Sequence, residues 1–257
     1  MTFRYSLSLL TAGAVALAAC GGGEAPQPTA EAAAKPAAAA PPAAAASGTA
    51  SVTGKISFEG EAPGPEKVKL SADPKCAAMH QGGLERQPIK VKDGGLAEVL
   101  VYVKSGLSGS YPAPADPATL DQHGCDYTPH MLVVQAGQPM KIRNSDDTLH
   151  NIHPRPQLNT EFNIGQPRKD MESTKTFDKP EVMIPVGCDV HPWMRAYISV
   201  LSNPFFAVTG EDGSFTIKGL PAGTYEIEVL HGKLKGATQS VTVKDGETAT
   251  LNASLKG

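Results

Sequence analysis

The sequence carries no excess of charge of either sign, because lysine and arginine together number 23 and aspartate and glutamate number 26. A nucleic-acid-binding domain or a polybasic membrane patch requires a surplus of basic residues. We therefore expect no nucleic-acid partner and no membrane contact made through surface charge.

Motifs of catalysis are also missing. The chain shows no spacing typical of a hydrolytic triad, no glycine-rich phosphate loop and no paired-carboxylate motif. After the first 20 residues, no stretch reaches the ~18 apolar residues that a transmembrane helix requires. These absences predict that the protein is not an enzyme and that no later segment spans a membrane as a helix.

The N-terminal sequence MTFRYSLSLLTAGAVALAAC is typical of an export signal, with Arg4 followed by an apolar run and small residues. Its last four residues resemble a bacterial lipobox, which predicts a signal peptide over residues 1–19 and a lipid on Cys20. We expect lipid anchoring to a membrane of the bacterial cell envelope, facing the periplasm. Residues 20–49 are rich in alanine and proline and predict an extended tether.

Cysteine is scarce, with four residues in the chain. A lipid on Cys20 would leave Cys76, Cys125 and Cys188 in a compartment that oxidises paired thiols. We predict a disulfide between Cys76 and Cys125, which would leave the thiol of Cys188 free to bind a metal. A second metal site is the alternative, because histidines lie near the first two cysteines. They are His80, His123 and His130.

The sequence GCDVHPWMR places a thiol, an imidazole and a thioether in one short loop, at Cys188, His191 and Met194. Electron-transfer copper sites use one thiolate, two imidazoles and a long, weak methionine bond. His150, in the earlier run RNSDDTLHNIH, is the best candidate for the second imidazole, because the intervening chain is long enough to cross a β-sandwich and return. The sequence therefore predicts one copper ion held by these four side chains.

The His150-Asn151-Ile152-His153 segment and the short Cys-x-x-His-x-x-Met loop together resemble the cupredoxins, in particular the amicyanin group. The resemblance implies a Greek-key β-sandwich and one type 1 copper site. It also implies that Asn151 fastens the loop that carries the thiolate. His153 is expected to be an outlying or surface imidazole.

The same resemblance implies where electrons would enter and leave. His191 would expose its ring edge within a small apolar patch to which Pro192 and Trp193 contribute. The partners would be redox proteins, a donor and an acceptor of the cytochrome or dehydrogenase class. No aromatic residue precedes Cys188 closely, however, which keeps a copper chaperone or storage protein as an alternative function.

Alternating apolar and polar residues separated by turn signals predict an all-β protein. We place a copper domain over residues 50–202 and a boundary at Asn203-Pro204. Residues 203–257 resemble the carboxypeptidase regulatory-like fold, a small prealbumin-like or immunoglobulin-like β-sandwich. Since this stretch is short for such a module, it could borrow a strand from the region near Gly54. His231 is expected to be a surface residue in a turn.

The leading hypothesis is a membrane-tethered periplasmic blue-copper protein that transfers single electrons. Copper storage or delivery is the second hypothesis. A scaffold of the cell envelope, with the site empty, is the third.

Overall fold

The computed structural model describes residues 48–71 and 73–257. The predicted signal peptide, the lipid on Cys20 and nearly all of the tether lie outside the described residues. Among the helices that are described, none is long and apolar enough to cross a membrane.

The described residues form one short helix and 21 β-strands, so the predicted all-β fold class is confirmed. The helix is α1 (Pro74–Met79). The strands are β1 (Ala50–Glu59), β2 (Glu66–Val68), β3 (Leu84–Arg86), β4 (Val91–Lys92), β5 (Gly95–Leu96), β6 (Leu100–Ser105), β7 (Ala118–Gln122), β8 (Tyr127–Thr128), β9 (Met131–Gln135), β10 (Pro139–Asn144), β11 (His150–Pro154), β12 (Ile164–Gln166), β13 (Met171–Thr176), β14 (Glu181–Gly187), β15 (Arg195–Leu201), β16 (Phe206–Val208), β17 (Ser214–Leu220), β18 (Gly223–His231), β19 (Leu234–Val243), β20 (Thr248–Thr250) and β21 (Ala253–Lys256).

The middle of the chain forms a two-sheet β-sandwich, here called the central sandwich. One sheet has the strand order β13-β10-β7-β8 and the other the order β12-β11-β14-β15-β9. Both sheets contribute to one apolar core, which includes Leu120, Met140, Ile152, Ile184 and Ile198. Alternate residues of β10 are buried, as expected for a strand with one face on a core.

The two ends of the described chain together form a second sandwich, here called the terminal sandwich. One sheet has the order β17-β1-β5-β4, with β20 and β21 also paired to β1, and the other has the order β16-β6-β18-β19. Its core combines early residues such as Val52 and Ile56 with late residues such as Phe215 and Ile227. The 202/203 boundary therefore requires correction, because residues 50–59 and 95–105 belong to the same core as residues 205–255.

The strand-borrowing alternative is the arrangement that the structure shows. β1 pairs antiparallel with β17 from Ala50 to Lys55, and it also pairs in parallel with β20 and then with β21. Gly54 lies between these two parallel pairings, and a Cβ atom there would be 1.6 Å from the carbonyl oxygen of Leu251. A glycine is required at this position because the two backbones pass so close together.

The shared core predicts how the protein responds to a single cut in the exposed link at Ser202. A chain cleaved there by a site-specific protease is expected to stay associated, because β1 and β6 remain hydrogen-bonded to strands on the other side of the cut. Size-exclusion chromatography under native conditions would measure this. Release of a folded 203–257 fragment would contradict the account.

A smaller apolar cluster joins the two sandwiches. It contains Leu100 and Tyr102 of β6, Met131 and Val133 of β9, and Leu201 of β15. His231, at the end of β18, is only 7% exposed, so the expectation of a surface residue was wrong. Burial disfavours the charged imidazole and lowers the pKa of His231 to about 4, although the nearby Glu98 carboxylate opposes the shift.

His231 should make the metal-free protein less stable in mild acid. Because its pKa is lower in the folded state than the ordinary ~6.5, the stability it contributes is present above that pH. It is lost as the pH falls towards about 4, by up to about 3 kcal/mol. Urea denaturation at pH 7 and pH 4.5 should show a smaller loss in His231→Gln than in the native protein. Equal losses in the two proteins would contradict this expectation.

Candidate metal centre

The loop between β14 and β15 carries Cys188, His191 and Met194. β14 pairs with β11, where His153 lies opposite Gly187, so the start of β11 is held beside the start of the loop. This pairing brings His150 to the loop even though 38 positions separate it from Cys188 in the sequence.

Three of the predicted ligands converge at the end of the central sandwich. The Nδ1 atoms of His150 and His191 are 2.9 Å apart, and the Sγ atom of Cys188 lies 3.9 Å from Nδ1 of His191. One ligand atom from each residue lies within 4.8 Å of the other two. All three side chains are buried, with exposed fractions of 0%, 1% and 5% for His150, His191 and Cys188.

Met194 is fully buried in the same apolar core as Cys188. Its backbone closes the loop, since the carbonyl of Met194 accepts a hydrogen bond from the Cys188 amide at 3.3 Å and its amide donates to the His191 carbonyl at 2.9 Å. Its role as the weak fourth ligand stays a prediction.

Asn151 lies between β11 and the loop. Its Oδ1 atom accepts a hydrogen bond from the Asp189 amide at 2.7 Å and, while Cys188 is protonated, another from the thiol at 3.1 Å. These contacts connect Cys188 to β11. Asn151 therefore lies where its predicted role in fastening the loop requires it. His153 is half-buried and contacts Asp189 and the carboxylate of Glu161, at 2.6 Å for the latter.

The predicted disulfide between Cys76 and Cys125 is confirmed. Both of its sulfurs are therefore engaged, which removes the thiolates of the alternative second metal site. All three histidines noted there face protein atoms instead. His80 bonds to the Gly124 carbonyl at 2.8 Å, His130 bonds to Glu98 at 2.9 Å, and Nδ1 of His123 lies 3.6 Å from Oδ1 of Asp146. Of the cysteines in the described residues, Cys188 alone is unpaired.

The expectation that His191 exposes its ring edge was wrong, because the segment around α1 covers it. Nε2 of His191 is 2.8 Å from Oδ2 of Asp73 and 3.7 Å from Sγ of Cys76. The disulfide links this covering segment to Cys125 beneath it. A contact between positions 73 and 191 depends on the tertiary fold, and no local sequence pattern indicates it.

Trp193 packs towards the disulfide and is only partly exposed. Its Nε1 atom donates to the Cys125 carbonyl at 3.1 Å, and its ring centre is 5.0 Å from that of His191. Pro192 is exposed. Sequence reasoning missed two apolar neighbours of the ligands, Leu149 and Val190, which are 42% and 43% exposed.

Two carboxylates next to the ligand histidines were also missed. Nε2 of His150 is 2.9 Å from Oδ2 of Asp146, and Nε2 of His191 bonds to Asp73 as described above. Asp146 could have been found, because it lies four positions before His150 in a segment already singled out. Asp73 could not, because 118 positions separate it from His191.

Both carboxyl groups are ionised at neutral pH. Burial alone would raise the pKa of Asp73, but hydrogen bonds from the Cys76 amide and from His191 lower it to about 2. The pKa of Asp146 is also lowered, since hydrogen bonds from His150 and two backbone amides outweigh its burial. An ionised carboxylate only accepts hydrogen bonds, so the facing Nε2 of each histidine must carry a proton.

If both imidazoles were neutral, their Nδ1 lone pairs would face each other at 2.9 Å. Two facing lone pairs repel, so a cation between them, either a proton or a metal ion, is favourable. Burial alone would lower the pKa of both histidines, but their interactions with Cys188 and with Asp146 or Asp73 raise it. Burial opposes ionisation of the Cys188 thiol, but its interactions with the two imidazoles lower its pKa to about 6, which makes it a thiolate at neutral pH. The three donors therefore form a buried site with a preference for a cation.

Comparison with protein families gives a match to the carboxypeptidase regulatory-like domain over residues 191–256. The match covers about a quarter of the chain and ends within the terminal sandwich. Comparison with curated protein sequences gives no match.

Several solved structures are similar to part of the chain. A purple cupredoxin from Nitrosopumilus maritimus is 20% identical, over 32% of this chain and 98% of that one, with a TM-score of 0.28. Amicyanin from Paracoccus versutus is 21% identical, over 39% and 96%, with a TM-score of 0.30. A copper-containing nitrite reductase from Thermus scotoductus SA-01 is 20% identical, over 37% of this chain, with a TM-score of 0.32.

This chain spans only 25% of the length of that nitrite reductase. Because all three TM-scores are low, the assignment of a metal rests on the geometry of the site. That geometry is a thiolate and two imidazoles, buried together and oriented by two carboxylates.

Proposed function

We propose that the protein is a membrane-tethered periplasmic copper protein that transfers single electrons between redox proteins. The observation that carries the proposal is the convergence of Cys188 Sγ with the Nδ1 atoms of His150 and His191 in one buried site. Copper, when bound, supplies a one-electron couple between Cu(I) and Cu(II).

The donor set fits copper. A thiolate with two imidazoles is the ligand set of electron-transfer copper sites, and Met194 stands in the same loop as a thioether. Structural zinc sites also use cysteine and histidine, but they are closed by four strong ligands, and this site offers three. Catalytic zinc sites do have three protein ligands, but they keep the fourth position open, and Met194 would fill it here. The fit therefore favours copper over zinc.

The residues of the site are suited to hold an ion with little rearrangement. Cys188 and His191 lie in one loop between paired strands, and Asn151 fastens that loop to β11. Low exposure of all three donors excludes water from the ion. With Met194 in the fourth position, no site would remain for a substrate, which supports an electron carrier over an enzyme.

A partner would dock beside the ligands and not directly on His191, which is covered. The exposed side chains of Leu149, Val190 and Pro192 are each adjacent in sequence to a ligand. Small apolar surfaces of this kind suit brief encounters with a redox protein. The proposal replaces Trp193 by Leu149 and Val190 as contact residues.

The tether and the compartment are part of the proposal and are supported by the sequence. A signal peptide ending at a lipobox-like Cys20, followed by an alanine- and proline-rich stretch, fits a lipid-anchored protein of the cell envelope. The confirmed disulfide suits an oxidising compartment.

Copper storage or delivery is the second candidate, and the covering of His191 favours it. A ligand that is 1% exposed and held under a disulfide-linked segment is well placed to retain an ion. It is less well placed for fast exchange of electrons through its ring edge.

Optical spectroscopy with a redox titration separates the two candidates. The electron-transfer proposal expects intense visible absorption from the thiolate-to-Cu(II) transition, which disappears and returns as the protein is reduced and reoxidised. A colourless protein that holds only Cu(I) would support storage. A protein that binds no copper would overturn both.

A further inference from the structure

The outward nitrogen of each ligand imidazole is paired with a carboxylate, which is half-buried at Asp73 and buried at Asp146. Nε2 of His191 is 2.8 Å from Asp73, whose side chain is 16% exposed, and Nε2 of His150 is 2.9 Å from Asp146, whose side chain is 2% exposed. In each histidine, Nε2 faces the carboxylate and Nδ1 faces the site that the two histidines share with Cys188.

The disulfide holds both carboxylates in place. The amide of Cys76 donates to Asp73 at 3.0 Å, and the amide of Cys125 donates to Asp146 at 2.8 Å. Each carboxylate therefore bridges one half of the disulfide and one ligand imidazole. An equivalent bond from Gly124 to Asp146 at 2.9 Å further restrains the second carboxylate.

We propose that Asp73 and Asp146 are positioning residues that orient the two ligand histidines and favour Cu(II) over Cu(I) at this centre. The inference rests on the proposed copper function, which it deepens. A carboxylate that accepts the outward N–H fixes the ring orientation and strengthens the imidazole as a donor. Two negative charges in a buried site also stabilise the more highly charged ion.

Asp73→Asn and Asp146→Asn test the proposal with little change in shape. Loss of such an outer partner lowers metal affinity by about 10- to 100-fold. We expect the loss to be larger for Cu(II) than for Cu(I), which raises the reduction potential by about 59 mV for each tenfold difference. Asp73 is the N-cap of α1, where its side chain accepts hydrogen bonds from the amides of Lys75 and Cys76. Asparagine also serves as an N-cap, so Asp73→Asn is expected to keep the fold and tests the proposal even if Asp146→Asn does not fold.

Asp147→Asn is the matched control. It removes one negative charge next to Asp146, but its carboxylate is 84% exposed and contacts Lys75 and no histidine. We expect its potential and its affinities to equal those of the native protein. A rise in potential for Asp147→Asn as large as for Asp73→Asn would mean that net charge, and not the imidazole contact, is responsible, and would overturn the proposal.

A second readout needs no copper and separates this inference from the copper function. In ¹⁵N-histidine NMR of the metal-free protein, the Nε2 protons of His150 and His191 should exchange slowly with water. Asp73→Asn should accelerate exchange at His191 alone, and Asp146→Asn at His150 alone. Fast exchange at both positions in the native protein, or unchanged potentials in both variants, would overturn the positioning role. Failure of the native protein to bind copper would overturn the copper function, whatever the exchange rates.

Discussion

Replacing Cys188 with serine is expected to abolish the visible absorption of the copper-loaded protein and to lower its copper affinity by more than 100-fold. The thiolate is the only soft, charged donor in the described site, and serine keeps the volume while removing both properties. Loss of a direct ligand should exceed the about 10- to 100-fold cost of losing an outer partner. Competition with a chelator of known affinity, followed by the optical spectrum, measures both effects.

Val190→Ser is the control for this variant. It introduces the same residue into the same loop, at a side chain that is 43% exposed, so copper binding and colour should be unchanged. A Cys188→Ser protein that keeps the intense absorption would show that another sulfur binds the ion. That result would contradict the site described above.

Removal of the disulfide by Cys76→Ala with Cys125→Ala is expected to cost about 4 kcal/mol of folding stability. The estimate is the chain entropy of a closed loop whose ends are 49 positions apart. Burial of both residues adds to the effect, because truncating fully buried side chains leaves small cavities. Urea denaturation of the metal-free variant and native protein gives the difference.

The native protein after reduction by a dithiol provides the comparison for that variant. It carries the same open loop with both sulfur atoms still present, so its stability should fall by a similar amount. A loss of folding stability below about 1 kcal/mol in both proteins would show that the disulfide contributes little stability. The segment over His191 would then be held by its other contacts.

Local patterns were sufficient for the strands around the site. The sequence from Met131 to Arg143 has a turn signal at residues 135–138 between two β-rich stretches, which predicts two strands, and the structure has β9 and β10 with the turn between them. The β-rich run at residues 196–201 likewise predicts a strand that leads out of the Cys188 loop, and the structure has β15 there. These elements are set by alternating burial and turn residues, which short stretches of sequence display directly.

Some contacts between distant segments were predicted, such as the approach of His150 to Cys188 and the Cys76–Cys125 disulfide, but the domain boundary and the covering of His191 were not. The boundary near position 203 follows a real turn, but β1 pairs with β17 across more than 150 positions, so the turn separates no independent domain. The covering of His191 has the same origin. It depends on where a disulfide and a six-residue helix place Asp73, and no periodicity in the sequence encodes that placement.

The ligands of the site were predicted from the sequence, but the segment that covers His191 was not. This covering segment changes the interpretation of the site. An exposed His191 would give a partner direct access to the ion, whereas the structure gives that histidine a carboxylate and a covering segment. Electron transfer would then proceed past Leu149 and Val190. Under the proposed copper function, the balance between retaining the ion and exchanging electrons would therefore depend on the chain around Asp73 and not on the ligand loop alone.

The most direct test of the central claim is anomalous diffraction at the copper edge from crystals of the copper-loaded protein. The account predicts one strong peak within bonding distance of Cys188 Sγ and of the Nδ1 atoms of His150 and His191. A peak beside the Nε2 atoms and the two aspartates, or a Cys188 sulfur bonded to another cysteine, would contradict it.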